Sequence, residues 1–171
     1  TGGPSPGPED RASPGPPAGR PHPAACLRAP PARAGHQAPA LPGPGKLVER
    51  LRKTLPFALT GAQQRVFAQI RQDLARPHPM LRLVQGDVGS GKTVVAALAA
   101  MLAVEQGRQA ALMAPTELLA TQHLANLRAW LEPLGIDVAW LAGKVTGRAR
   151  IEALKRGADG SARGVVGTHA L

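Results

Sequence analysis

One eight-residue run, Gly86-Asp-Val-Gly-Ser-Gly-Lys-Thr93, constrains this chain more than any other stretch. Gly86, Gly91, Lys92 and Thr93 fit the spacing G-x-x-x-x-G-K-[ST]. The apolar residues 81–85 ahead of it read as a short strand. The Ala/Leu/Val-rich residues 94–104 behind it read as a helix. A glycine-rich turn between a strand and a helix lets successive backbone N–H groups point inward and approach a ligand closely. The helix adds its own unpaired N-terminal donors and its dipole. Such a turn is a cradle for a triphosphate, with Gly86, Asp87, Val88, Gly89, Ser90 and Gly91 forming the loop. Lys92 places an ammonium against the β- and γ-phosphates, and Thr93 offers its hydroxyl to a Mg²⁺ that bridges them. Lys92 and Thr93 are therefore the candidate catalytic residues, Thr93 the candidate metal ligand, and ATP with Mg²⁺ the expected ligand pair.

The pattern around the loop extends this reading. Residues 46–53 carry Leu47, Val48 and Leu51 between charges, a short amphipathic helix ended at Leu55-Pro-Phe57. Thr60-Gly-Ala-Gln63 fits a capping box, and Val66, Ile70 and Leu74 continue one helical stripe. From there strands expected at 81–85, 109–113, 137–141 and 164–167 alternate with helices expected at 92–106, 115–131 and 146–156. Such alternation implies right-handed crossovers, hence an α/β fold with a parallel sheet and helices on both faces. Aromatic residues make up only 2 % of the chain, so the core must be built of Ala, Val and Leu.

Thirteen of the 18 prolines precede Gly45. Proline cannot donate the backbone bonds that helices and sheets require, and few large apolar residues accompany them. Residues 1–45 are therefore expected to be a disordered Pro/Gly/Ala/Arg-rich segment, and 46–171 the folded domain. The net charge is +10, which suits an anionic partner such as nucleic acid; a basic coding bias accounts for it equally well. The single cysteine, Cys26, allows no internal disulfide, which points to a reducing cytoplasm. No run approaches the length of a membrane span.

With the loop placed, the neighbouring words become recognisable. Leu83-Val-Gln-Gly-Asp-Val-Gly-Ser-Gly-Lys-Thr93, Met113-Ala-Pro-Thr-Glu-Leu-Leu-Ala120 with Gln122-His123, Trp140-Leu-Ala-Gly143 and Val166-Gly-Thr-His169 occur in an order that resembles the first motor domain of the RecG family. These are superfamily 2 ATP-dependent DNA helicases that remodel branched DNA. The resemblance covers residues 41–171. The Mfd translocases share the loop but usually differ in the following motif, and PriA helicases are more distant. The resemblance implies a RecA-like P-loop NTPase domain, cut short at its C-terminus and preceded by the Pro/Gly-rich tail. It implies a monomer in the bacterial cytoplasm or nucleoid. It also implies DNA as partner, held through its backbone, so that binding depends on salt and little on base sequence.

Particular roles follow from the resemblance. Gln63 and Phe57 take the positions that read and stack on adenine. The capping box is the competing role for Gln63, the two being hard to combine in one side chain, and core packing is the competing role for Phe57. Pro115, Thr116 and Glu117 take the position of the motif that grips one DNA strand, although Thr116 is equally a good N-cap and Glu117 a good first-turn residue. Gly143 and Lys144, then Gly167 and Thr168, match two later strand-contact motifs. A surface charge at Lys144 and a simple cap at Thr168 are the plain alternatives. His169 carries no assigned role, and Trp130 and Trp140 read as core. Two departures from the family pattern stand out. Residues 1–36 do not show the alternating strands of an oligonucleotide-binding wedge domain. The sequence also ends before the acidic Mg²⁺ motif and the second motor domain with its arginine finger. The 171-residue polypeptide is therefore expected to hold ATP with negligible turnover, as the ATP-binding half of a helicase or as a non-catalytic remnant.

Overall fold

The computed structural model describes residues 25–28, 37–141 and 147–168. Helix α1 (Lys46–Thr54) and helix α2 (Gly61–Leu74) come first in the folded body, after strand β1 (Ala25–Arg28). Strand β2 (Arg82–Gln85) then leads through the glycine loop into α3 (Lys92–Glu105). Next come β3 (Ala110–Met113), α4 (Glu117–Leu131), β4 (Val138–Leu141), α5 (Gly147–Ala158) and β5 (Gly164–Gly167). Each element expected from residue 46 onward is present with ends shifted by a residue or two, the ordinary scatter of fraying ends.

Helix α3 is the centre of the molecule. Val94, Val95, Ala97, Leu98, Met101 and Leu102 are all buried, so the helix is covered nearly all round rather than along one stripe. Helices α1 and α2 pack against it. Val48 and Leu51 of α1 and Val66 and Ile70 of α2 join the same core as Val138 of β4 and Val166 of β5.

The parallel sheet has the order β3-β5-β4, and its register places Met113, Gly167 and Leu141 in one row at the C-terminal ends of the strands. Helices cover both faces at β4. Val138 and Trp140 join the α3 core, while Ala139 and Leu141, also buried, point to the opposite face. Helix α5 packs on the same strand. At β3 only one face is covered, and Met113 is exposed.

One expectation needs correction. Strand β2 was expected to join the parallel sheet; instead it pairs antiparallel with β1, Cys26 opposite Val84 and Leu27 opposite Leu83. Strand–helix alternation specifies the elements of a crossover but not that its two strands lie side by side. Within the segment 1–45, expected to be a disordered Pro/Gly/Ala/Arg-rich stretch, Ala25–Arg28 form β1. Residues 24–29 lie between Pro23 and Pro30 with no proline among them, so every residue of that run can donate to a ladder. Residues 37–45 also dock: Leu41 is buried and donates its N–H to Leu74 O at 2.7 Å, and Ala38 N–H reaches Pro77 O. The other residues of that segment lie outside the described residues. Among the described residues no helix is long and apolar enough to cross a membrane.

Asp73 fastens β2 to the helical layer. Its carboxylate is buried on α2 and takes Arg82 Nε at 2.7 Å and Arg82 Nη2 at 2.6 Å, with Arg76 at its rim. Arg82 opens the strand that delivers the chain to the loop, so this ion pair fixes the loop's starting point.

Candidate nucleotide and nucleic-acid site

The loop leaves β2 at Gly86 and closes a turn with Ser90 N–H donating to Asp87 O at 3.0 Å. Gly89 and Gly91 have φ of 81° and 76°, the left-handed region that side-chain-bearing residues enter only at a cost. Gly91 is also the N-cap of α3, and no side chain caps that helix. The first-turn N–H groups of α3 thus keep their donors and dipole for an anion. Lys92, exposed, turns its ammonium back into the loop, donating to Gly86 O at 2.7 Å, Asp87 O at 2.8 Å and the Ser90 hydroxyl at 3.4 Å. Those carbonyls hold the cation at the mouth of the loop, where a phosphate would meet it. Thr93 is half-buried one residue further on, and its Oγ1 lies 3.4 Å from His123 Nδ1 of α4. The loop glycines, the uncapped helix and the adjoining Lys and Thr are the donor set a Mg²⁺–triphosphate requires, and the residues present fit that group.

Gln63 is buried and closes against this loop. Its Oε1 accepts the Thr60 N–H at 2.9 Å, its own N–H donates to Thr60 Oγ1 at 3.2 Å, and its Nε2 donates to Ser90 O at 2.8 Å. The capping box is therefore formed: the amide oxygen caps α2 while the amide nitrogen holds the loop. Phe57 is not core. It is 45 % exposed and meets Trp130 edge-on with ring centroids 6.2 Å apart. Trp130 and Trp140 pack against the core as expected.

The strand-contact candidates gather at one edge. Pro115 and Thr116 follow β3 and are exposed, and Glu117 begins α4. Thr116 is the N-cap of α4, its hydroxyl accepting from Leu119 N–H at 3.3 Å. Gly167 ends β5, is buried, and accepts Ala114 N–H at 2.9 Å. Thr168 N–H donates to Leu141 O at 3.3 Å. The sheet register thus brings 114–117 and 167–168 together at the carboxyl ends of parallel strands, where ligands bind in open α/β sheets. Gly143 and Lys144 lie outside the described residues.

A family model of DEAD/DEAH box helicases matches residues 60–171, which take in the loop, α4 and β5. The chain belongs to the DEAD/DEAH box helicase family. Within that helicase family, several similar proteins carry the name ATP-dependent DNA helicase RecG. The ATP-dependent DNA helicase RecG of Pasteurella multocida (strain Pm70) is 61 % identical over 125 residues, and that of Escherichia coli (strain K12) 58 % over 125 residues. Each match covers 73 % of this chain and 18 % of the relative. A solved structure of RecG bound to a three-way DNA junction superposes with a TM-score of 0.71 at 44 % identity, covering 77 % of this chain and 18 % of that one. The chain thus spans about a fifth of the length of the relatives it matches. These comparisons bear out the resemblance read from the motifs and the α/β fold. In the helicase domain, His123 and the Asp73–Arg82 pair had no role assigned from sequence. His123 stands in a quoted motif, and only the fold, which places residues of α3 and α4 in one core, brings it to Thr93.

Proposed function

We propose that this chain is the ATP-binding part of a RecG-type helicase, which uses ATP hydrolysis to unwind or remodel branched DNA in repair and recombination. The observation that carries the reading is the loop between β2 and α3, with left-handed Gly89 and Gly91, a helix without a side-chain cap, and Lys92 turned into the loop mouth. The N–H groups of 86–93 hold the phosphates, Lys92 neutralises the terminal pair, and the Thr93 hydroxyl binds Mg²⁺. Bound there, Mg²⁺ would supply charge neutralisation to the phosphates. Gln63 and Phe57 flank the base, Gln63 having to exchange part of its present bonding to read it. Pro115, Thr116, Glu117, Gly167, Thr168, Gly143 and Lys144 meet the DNA backbone, which makes binding weakly dependent on base sequence. A monomer acting in the bacterial cytoplasm accompanies this reading.

The similarity to a RecG structure solved on a three-way junction supports branched DNA as the substrate. The test is a chimera: the 125 matched residues of the Pasteurella multocida relative are replaced by those of this chain. The chimera is expected to unwind a three-way junction in an ATP-dependent manner, and Lys92→Ala within it to abolish unwinding. An inactive but well-folded chimera, or one indifferent to Lys92→Ala, would contradict the proposal.

A further inference from the structure

Thr93 and His123 belong to different helices and lie thirty residues apart in sequence, yet their side chains meet, Oγ1 to Nδ1 at 3.4 Å. Both are half-buried, so the contact is partly shielded from water. A threonine hydroxyl has one hydrogen and two lone pairs. To serve a cation it must turn a lone pair outward and send its hydrogen elsewhere. A neutral imidazole whose hydrogen sits on Nε2 offers a lone pair at Nδ1 and takes that hydrogen.

We propose that His123 is a positioning residue for the metal ligand Thr93: its Nδ1 accepts the Thr93 hydroxyl hydrogen and leaves the oxygen's lone pairs facing the Mg²⁺ that accompanies the triphosphate. The inference rests on the proposed nucleotide site and deepens it. His123 lies about two turns along α4 from its N-cap, Thr116. The same bond therefore ties the metal ligand on α3 to the helix whose start is a proposed DNA contact. Partners that orient a metal ligand commonly change metal affinity by about 10- to 100-fold when removed.

The test is calorimetric binding of a non-hydrolysable ATP analogue to the whole chain, with Mg²⁺ and with the metal chelated. His123→Leu is expected to weaken binding about tenfold in Mg²⁺ and to leave metal-free binding unchanged. His123→Asn places an amide oxygen close to the position of Nδ1 and should restore most of the Mg²⁺-dependent affinity. His123→Gln places its amide oxygen nearer the position of Nε2 and should not. Both amides are polar and of similar size, so this contrast does not depend on the Leu variant folding well. In a Thr93→Ala background, His123→Leu should add nothing. An unchanged Mg²⁺ response in His123→Leu, an equal loss with and without metal, or rescue by Gln as good as by Asn overturns the proposal. Failure of the nucleotide site itself has a different signature: the unmodified chain binds no analogue, or Lys92→Ala binds as well as it does. That result overturns both readings.

Discussion

Gly91 carries three burdens that no other residue type can combine. It has φ of 76°, caps α3, and lies so close to Gln63 that an added Cβ would stand 2.2 Å from Nε2. Gly89 has a similar φ of 81° but open space around it. Alanine at 89 should therefore cost only the left-handed backbone, about 1–2 kcal/mol. Alanine at 91 should cost that and also break the Gln63–Ser90 bond, a further 1 kcal/mol or so. Denaturant melts of the two variants check the order; a Gly89→Ala variant as damaged as Gly91→Ala would contradict it. Gln63→Glu keeps the oxygen that caps α2 but loses the amide donor to Ser90. It is expected to weaken the loop more than the helix, read as faster amide hydrogen exchange at 87–91 with α2 protection retained. The loop was legible in sequence because phosphate chemistry demands particular residue types at fixed spacing. The double use of Gln63 was not, because spacing shows that an amide can cap but not where its other end points.

Elements were legible to within a residue or two from residue 46 onward, because apolar periodicity and caps are local signals. Thr60 and Thr116 both cap as their positions predicted. Pairing was less legible: β2 takes β1 as its neighbour, and that choice depends on which ladder edges meet in three dimensions. The ion pair that seats β2 on α2 was invisible for the same reason. Asp73→Asn would take the carboxylate charge from Arg82, whose side chain is 10 % exposed, and breaking a largely buried pair costs about 3–5 kcal/mol. Chemical denaturation measures it, and a loss below 1 kcal/mol would contradict the account. Thr116 allows its two roles to be separated. Aspartate caps a helix as well as threonine does but repels a phosphate. Thr116→Asp should therefore keep the melting temperature while weakening binding to a branched DNA, whereas Thr116→Ala should lose about 1 kcal/mol of stability. Unchanged DNA binding in the aspartate variant would leave Thr116 as a cap alone.

Across the whole molecule, one buried helix organises two edges. The N-terminus of α3 receives the loop, and the parallel sheet that packs beneath α3 lines up the ends of β3 and β5 beside the start of α4. Nucleotide and DNA candidates are thereby mounted on one core. If DNA is held through its phosphates, affinity should fall steeply with rising salt while nearly matching among duplexes of different sequence; a titration at several salt concentrations checks this. The account stands or falls on the loop. The most direct measurement is titration of the chain with Mg²⁺–ATP beside its Lys92→Ala variant, with melting curves recorded for both. The account predicts saturable binding that the variant weakens about tenfold or more, at an unchanged melting temperature. Equal affinity in the two proteins, or no saturable binding by the unmodified chain, would contradict it.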